Sequence, residues 1–345
     1  AYTPYQAELS QGTLTWMFEF QTMMCELTGM EVANSSMYDG GSALAEAMLM
    51  AKNITGRKRF LIVKSVHPHY QQAVRTYAWG AGLELSEIPF NEDGQIDKEF
   101  IKKHSADLGG VLVQTPNFFG VIEDLSDVKD MIKDSFLIVS VNPISLGILK
   151  PPGEFGADIV VGEGQVLGNA MNFGGPLLGI FATKNEYVRK MPGRISGRTC
   201  DVDGKTGYVM ALQTREQHIR RERATSNICT NQALLALAAT IYLAALGKQG
   251  LRKLAELNLQ KAHYLAEKIA ELKGYALRFP ASPFFNEFLV KAQHKPKKII
   301  EALRKHKILA GIDTSQILDN TLLVAVTEKR TKAEMDTFVK LLKEV

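Results

Sequence analysis

Residues 59–88 read RFLIVKSVHPHYQQAVRTYAWGAGLELSEI. Arg59 to Lys64 is a short apolar run of strand length, His69 to Ala81 places apolar residues at helical spacing, and Leu83 to Ile88 is a second short run. The stretch therefore predicts strand, helix, strand. The pattern extends in both directions. Upstream, Thr13 to Leu27 predicts a helix stopped at Gly29, and Ser42 to Ile54 predicts another, opened by a glycine pair and closed near Gly56. Downstream, Asp97 is expected to cap a helix through His104, Gly110 to Gln114 to be a strand, and Ser126 to cap a helix ending near Asp134. Phe136 to Val141 and Asp158 to Val161 read as further strands. Such apolar strands are expected to be buried on both faces, and the alternation implies a mainly parallel sheet covered by helices, an α/β fold.

Residues 147–179 hold nine glycines, so the chain is expected to run mainly through loops there, where ligands sit at the carboxyl ends of parallel strands. Pro176 to Thr183 reads as a strand returning to the sheet. Two long helices follow, Asn231 to Leu246 and Leu251 to Leu272. A second unit then appears: strand Asn286 to Lys291, helix Pro296 to Lys305 with proline at its first position, strand Leu322 to Val326, helix Lys332 to Lys343. The expected division is a large α/β domain over residues 1–250 and a smaller C-terminal α+β domain over 251–345. This layout resembles the fold-type I pyridoxal-phosphate-dependent transferases.

The 345 residues suit about two domains. With 46% hydrophobic and 23% charged residues, disorder and fibrous classes are excluded. The longest nearly apolar stretch, Ala233 to Leu246, falls short of the roughly 20 residues a membrane span needs and reads as a buried helix. No membrane association is expected. No secretory leader opens the sequence, and Cys25, Cys200 and Cys229 are too few and too scattered for a disulfide framework, so a cytoplasmic setting is expected. Charge is uneven: residues 1–250 carry −3 and residues 251–345 carry +7. Clusters such as Lys295, Lys297 and Lys298 lack the interleaved aromatics of a nucleic-acid groove, which leaves a solvated surface or an acidic protein partner.

Tyr38-Asp39-Gly40-Gly41-Ser42 lies just before a helix, where free N–H groups and the helix dipole make a natural phosphate cradle, with an ordinary N-cap at Ser42 as the plainer alternative. Gly162 to Gly168 has one residue too many for a dinucleotide fingerprint. His67 and His69 have no third ligand at usable spacing, and their side chains are expected to diverge; no metal site is predicted. An enzyme of this layout needs a lysine that forms a Schiff base with the cofactor, in the loop after a late strand of the large domain. No lysine lies between Lys150 and Lys184. The strand ending at Val141 is likewise followed by Asn142-Pro143 rather than by an aspartate to face a pyridine nitrogen. The expectation is a fold without its own catalytic centre. The competing reading is a self-sufficient aminotransferase or lyase using Lys64, Lys150, Lys184 or Lys205.

The same segments resemble one family, the glycine cleavage system P-protein. Ala1-Tyr-Thr-Pro-Tyr-Gln-Ala-Glu-Leu-Ser-Gln-Gly-Thr-Leu14 is similar to its opening signature, continued by Cys25 to Met30 and Ala33 to Gly40. Asn142 to Gly147, Gly162 to Gln165, Asn172 to Pro176 and Arg221 to Gln232 add further matches. Within the family the likeness is to the version split into two polypeptides, and there to the alpha chain. The resemblance implies a heterotetramer of two alpha and two beta chains that takes glycine, removes CO2 with pyridoxal phosphate, and passes the aminomethyl group to the lipoyl arm of H-protein. It implies that the beta subunit carries the Schiff-base lysine and that Gln165 stands in that lysine's place here. Candidate contacts to the beta site are Tyr2, Thr3, Tyr5, Gln6, Thr225, Ser226 and Asn227, for which the plainer alternative is a turn or helix cap, with Thr230 or Asn231 capping the long helix. Tyr38 to Ser42 is the candidate relic cradle. Family alpha chains also begin well before the Ala1-Tyr2-Thr3 signature.

Overall fold

The computed structural model describes residues 3, 4, 6–224 and 226–345. The quoted stretch forms β2 (Arg59–Val63), α3 (Pro68–Gly80) and β3 (Glu84–Ile88), with Pro68 in the first turn of the helix, where a missing N–H costs nothing. Before them come α1 (Gln11–Thr28), ended by Gly29 in the left-handed conformation, β1 (Val32–Ala33) and α2 (Gly40–Thr55). After them come α4 (Lys98–His104), capped by the Asp97 side chain, β4 (Leu108–Thr115), α5 (Val128–Ile132), β5 (Phe136–Val141), β6 (Ile159–Glu163) and β7 (Gly179–Thr183). The seven strands lie in the order β1-β7-β6-β5-β4-β2-β3. β3, β2, β4, β5 and β6 are parallel, and β7 runs antiparallel between β6 and β1. Phe60, Val111, Leu137, Val160 and Phe181 put the core at the sheet, with α2 laid along it.

Two expectations need correction. β3 is an edge strand whose Glu84 and Ser86 are exposed, so it is not buried on both faces. α5 begins after Asp127 without a side-chain cap, and the Ser126 N–H is instead taken by Asp124 Oδ1 at 3.1 Å, which fixes the turn ahead of the helix. An antiparallel hairpin, β8 (Ile195–Cys200) and β9 (Thr206–Ala211), was not expected at all. The short α6 (Gln217–Arg220) follows it.

The two expected long helices form one segment, α7 (Ala233–Ala270), whose backbone leaves the helical region at Gly247 (φ 60°, ψ −178°). The proposed division near residue 250 falls beside that break. Gln232, with no side-chain capping bond, stands at the N-cap; Asn231 and Thr230 do not cap α7. Beyond it, β10 (Tyr275–Leu277), β11 (Glu287–Ala292), α8 (Pro296–Arg304), β12 (Ile312–Asp313), β13 (Thr321–Ala325) and α9 (Lys332–Glu344) form an antiparallel sheet in the order β10-β11-β13-β12 under two helices. Leu265, Phe288, Val290, Leu303, Val324 and Phe338 fill its core.

The two sheets meet at a seam. Ile122 N–H donates to Pro283 O at 2.8 Å, Phe285 N–H to Gly120 O at 3.1 Å, and Phe118 and Phe119 pack with Phe279, Leu289 and Leu323. Gly120 has φ +82°, and a Cβ there would lie 1.8 Å from Glu287 O, so the approach of the two units depends on glycine.

Candidate functional site

The carboxyl ends of the parallel strands face the head of α2. Asp39 sits extended at the N-cap; its Oδ1 accepts Ser42 N–H at 2.8 Å while its own N–H donates to Ser42 Oγ. This reciprocal cap makes Asp39, not Ser42, the capping residue and leaves the first-turn N–H of Gly40 free for another acceptor. That acceptor is Glu163, the last residue of β6, whose Oε2 receives it at 3.0 Å. Glu163 Oε1 also accepts Gln165 N–H at 2.9 Å and Leu178 N–H at 2.8 Å. At the turn expected to cradle a phosphate, the N–H groups of Gly40, Gln165 and Leu178 are thus taken by a carboxyl of the same chain.

Tyr70 of α3 closes the other side: a Cβ on Gly40 would lie 2.6 Å from its hydroxyl. His67 packs against Tyr70 and Phe118, with ring centroids 4.9 and 5.1 Å away, and burial pushes its imidazole down to about 4, so it is neutral near pH 7. The expected divergence of His67 and His69 does not occur: their rings lie 5.2 Å apart, edge to face, and His67 Nδ1 accepts the His69 N–H. Burial pushes the Glu163 carboxyl up to about 7 against the pull of its three N–H donors, and raises the Tyr70 phenol.

Gln165 spends its amide on Asn169 O at 2.6 Å, and Asn142 Oδ1 accepts Ile144 N–H at 3.0 Å. The four alternative lysines each make an ion pair. Lys64 pairs with Glu87, Lys150 with Glu154, Lys205 with Asp203, and Lys184 with Asp158, which precedes β6 at its far end, about 16 Å along the strand from Glu163. Pyridoxal phosphate needs an amine, an empty anion cradle and an acid for its ring nitrogen. This site offers an amide, a filled cradle and an asparagine, and the cofactor does not fit it.

Of the candidate contacts, Tyr2, Tyr5 and Thr225 lie outside the described residues. Thr3 is buried, bonded through Oγ1 to Asn231 and to Arg194 Nη1 (3.3 Å), while Asn231 Nδ2 donates to Ser35 O at 2.8 Å. Ser226 meets the buried Glu46 of α2, whose carboxyl burial pushes up to about 7. Tyr38 Oη accepts the N–H groups of Cys229 and Thr230 at 3.3 and 3.4 Å. These contacts bring Thr3 and Ser226 to the loops around α2. Gln6 and Asn227 are exposed. Sequence reasoning missed Glu163, Arg194 and the buried Arg215, whose guanidinium donates to Met191 O, Gly193 O (2.8 Å) and Leu212 O (3.1 Å) and so holds the loop carrying Arg194. None of the three stands in a local pattern that marks it.

Beside the site, the loop after β6 leans on the first half of α7: Asn169 Nδ2 donates to Leu235 O, and Gly168 abuts the Tyr242 ring. Together they present Val166, Met171, Phe173, Leu234 and Ile241 as exposed apolar side chains. This half of α7, expected to be buried, turns an apolar stripe outward.

Glu287, at the start of β11, adds its charge to the field on Tyr70, and burial raises its carboxyl from 4.5 to about 7. The folded chain thus holds a proton that the unfolded chain releases. Stability from this group is present below about pH 4.5 and is lost as pH rises through 7. Glu287→Gln is expected to add on the order of 1–3 kcal/mol at pH 8 and almost nothing at pH 5. Urea midpoints at the two pH values check this; an equal shift at both would refute it.

A family model described as "Glycine cleavage system P-protein" matches residues 1–342. "Probable glycine dehydrogenase (decarboxylating) subunit 1" of Desulfitobacterium hafniense is 55% identical over 345 residues, covering 98% of this chain and 77% of that protein. The protein so named in Carboxydothermus hydrogenoformans is 53% identical over 348 residues, covering 99% and 78%. A crystal structure of glycine decarboxylase (P-protein) of the glycine cleavage system, in inhibitor-bound form, superposes with a TM-score of 0.94 at 42% identity, covering all of this chain and 78% of that one. A Burkholderia pseudomallei sphingosine-1-phosphate lyase, at 14% identity and a TM-score of 0.73 over 98% of this chain and 78% of its own, shares the fold.

Proposed function

The chain belongs to the glycine cleavage system P-protein family, and on that premise we propose that it is the alpha half of a two-chain glycine decarboxylase whose covalent chemistry resides in its partner. The partner, the beta subunit, supplies the Schiff-base lysine and holds pyridoxal phosphate. The assembled enzyme, a heterotetramer of two alpha and two beta chains, decarboxylates glycine and hands the aminomethyl group to the lipoyl arm of H-protein. The observation that carries this assignment is the filled cradle: the Glu163 carboxylate takes the Gly40, Gln165 and Leu178 N–H groups where a cofactor phosphate would bind.

The alpha chain then acts by shape and contact. The apolar surface of Val166, Met171, Phe173, Leu234 and Ile241 suits a second chain of the same fold presenting a matching face. Thr3, Ser226 and Asn227, with Tyr2, Tyr5, Gln6 and Thr225, are the residues we assign to the approach to the beta site. Cys25, Cys200 and Cys229 are unpaired, in keeping with a reducing, cytoplasmic setting.

Reconstitution tests the assignment. The full-length chain alone is expected to release no CO2 from carboxyl-labelled glycine above background, and to do so with the beta subunit and H-protein. Borohydride reduction with pyridoxal phosphate should leave a single stoichiometric adduct on beta and scattered traces on alpha. A stoichiometric adduct on Lys64, Lys150, Lys184 or Lys205, or decarboxylation indifferent to the alpha chain, would overturn it.

A further inference from the structure

We propose that Glu163 is a built-in anion, which closes this chain's site to phosphate-bearing ligands by occupying the oxyanion place at the head of α2. The inference deepens the assignment above and takes its biological meaning from it. The loss of a lysine alone would leave a site able to bind cofactor without reacting with it. Glu163 goes further. Its two oxygens take three backbone N–H groups from three separate segments: Gly40 from α2, Gln165 from the turn after β6, and Leu178 from the approach to β7. Convergent backbone donors of this kind hold an anion of any source, whether ligand or side chain.

Displacing Glu163 would strand a half-buried carboxyl and, above about pH 7 where it is ionised, set its charge beside the incoming anion. Substituting alanine instead removes four heavy atoms, Cγ, Cδ, Oε1 and Oε2, a volume close to that of a phosphate group. The donors stay in place because other contacts hold them. Gly40 is fixed by the Asp39–Ser42 cap, Leu178 is pinned where Gly164 N–H donates to its carbonyl at 2.6 Å, and Gln165 is tied to Asn169. The Tyr70 hydroxyl remains close to Gly40.

The test is thermal melting of the full-length chain, bound to its beta subunit if it requires one, titrated with inorganic phosphate against chloride at matched ionic strength. The wild type sets the nonspecific baseline. Glu163→Ala is expected to show a saturable rise in Tm, with phosphate bound about tenfold or more tighter than by the wild type. If the variant melts without cooperativity in phosphate-free buffer, added phosphate is expected to restore a cooperative transition. A folded variant that responds no more than the wild type, or an unfolded one that phosphate does not rescue, would overturn the inference. Because the readout is phosphate binding by this chain, it can fail while the reconstitution assay succeeds, and the reverse.

Discussion

The double variant Phe173→Asp/Ile241→Glu is expected to remain folded and to lose its partner subunit. Phe173 is 93% exposed and Ile241 is 61% exposed, so neither contributes to the core, and charging them leaves the fold intact. Both belong to one surface, because the loop carrying Phe173 is bonded to α7 through Asn169 and Leu235. In a pairing that buries this surface, each new carboxylate would lose its water among the apolar side chains exposed here. Two such insertions weaken association by at least about a hundredfold, roughly 2.7 kcal/mol. On the assignment proposed above, in which the beta site is completed across this junction, decarboxylation by the mixed subunits should fall in step. Sedimentation of the mixture measures pairing, and a circular dichroism melt confirms the fold. Trp79→Glu is the control: Trp79 is 85% exposed at the end of α3, apart from this surface, and its substitution should leave pairing unchanged. Normal pairing by the double variant would place the junction elsewhere.

What could be read from the sequence was what local patterns determine. The unit from β2 to β3 was legible because Phe60 to Val63 is a continuous apolar run, Pro68 pre-sets a helix start, and Gly82 ends the turn after α3. The exposure of β3 was also on the page, in the alternation of Glu84, Leu85, Ser86 and Glu87, which marks an edge rather than a strand buried on both faces. The β8–β9 hairpin escaped because one of its strands, β8, has no apolar run; only β9, at Tyr208 to Ala211, does. They are held by pairing with each other and by α1, where Gln11 bonds both the N–H and the carbonyl of Tyr208 and Phe18 meets the Tyr208 ring at 5.4 Å. Its one local signal was the loop Asp201-Val202-Asp203-Gly204, where Asp201 Oδ1 accepts the Asp203 and Lys205 N–H groups and Gly204 takes φ +77°.

The candidate site divides along the same line. The glycine pair that opens α2, the missing lysine and the asparagine after β5 are statements about types and positions, and each was readable. The occupant of the cradle was not. Glu163 lies 123 residues beyond Gly40, and the two meet only because the strand order sets β6 within reach of the head of α2. The sequence places a carboxylate where β6 ends, beside the Gln165 amide, but only the topology aims it at the Gly40 and Leu178 amides. Thr3 and Asn231 show the same limit across 228 residues.

Asp158→Ala is expected to cost about 3–5 kcal/mol of stability. The Asp158 side chain is 2% exposed and is shared among three donors: Lys129 Nζ at 2.5 Å and Leu137 N–H at 2.9 Å on Oδ2, and Lys184 Nζ on Oδ1. Truncation leaves the Leu137 N–H buried without an acceptor and two ammonium groups facing each other over a cavity, at the start of a central strand. Against a total of roughly 5–15 kcal/mol, such a loss leaves the chain marginal. The source of the loss can be separated. If most of it is repulsion between stranded lysines, then adding Lys129→Met and Lys184→Met to Asp158→Ala should recover a large share, because the three side chains form one coupled unit. If most is the cavity and the orphaned N–H, the triple variant should be no more stable than the single one. Urea unfolding of the three proteins, compared at equal m-values, decides between these terms. A loss under about 1 kcal/mol for Asp158→Ala would mean that water reaches the two lysines well enough to replace the carboxylate.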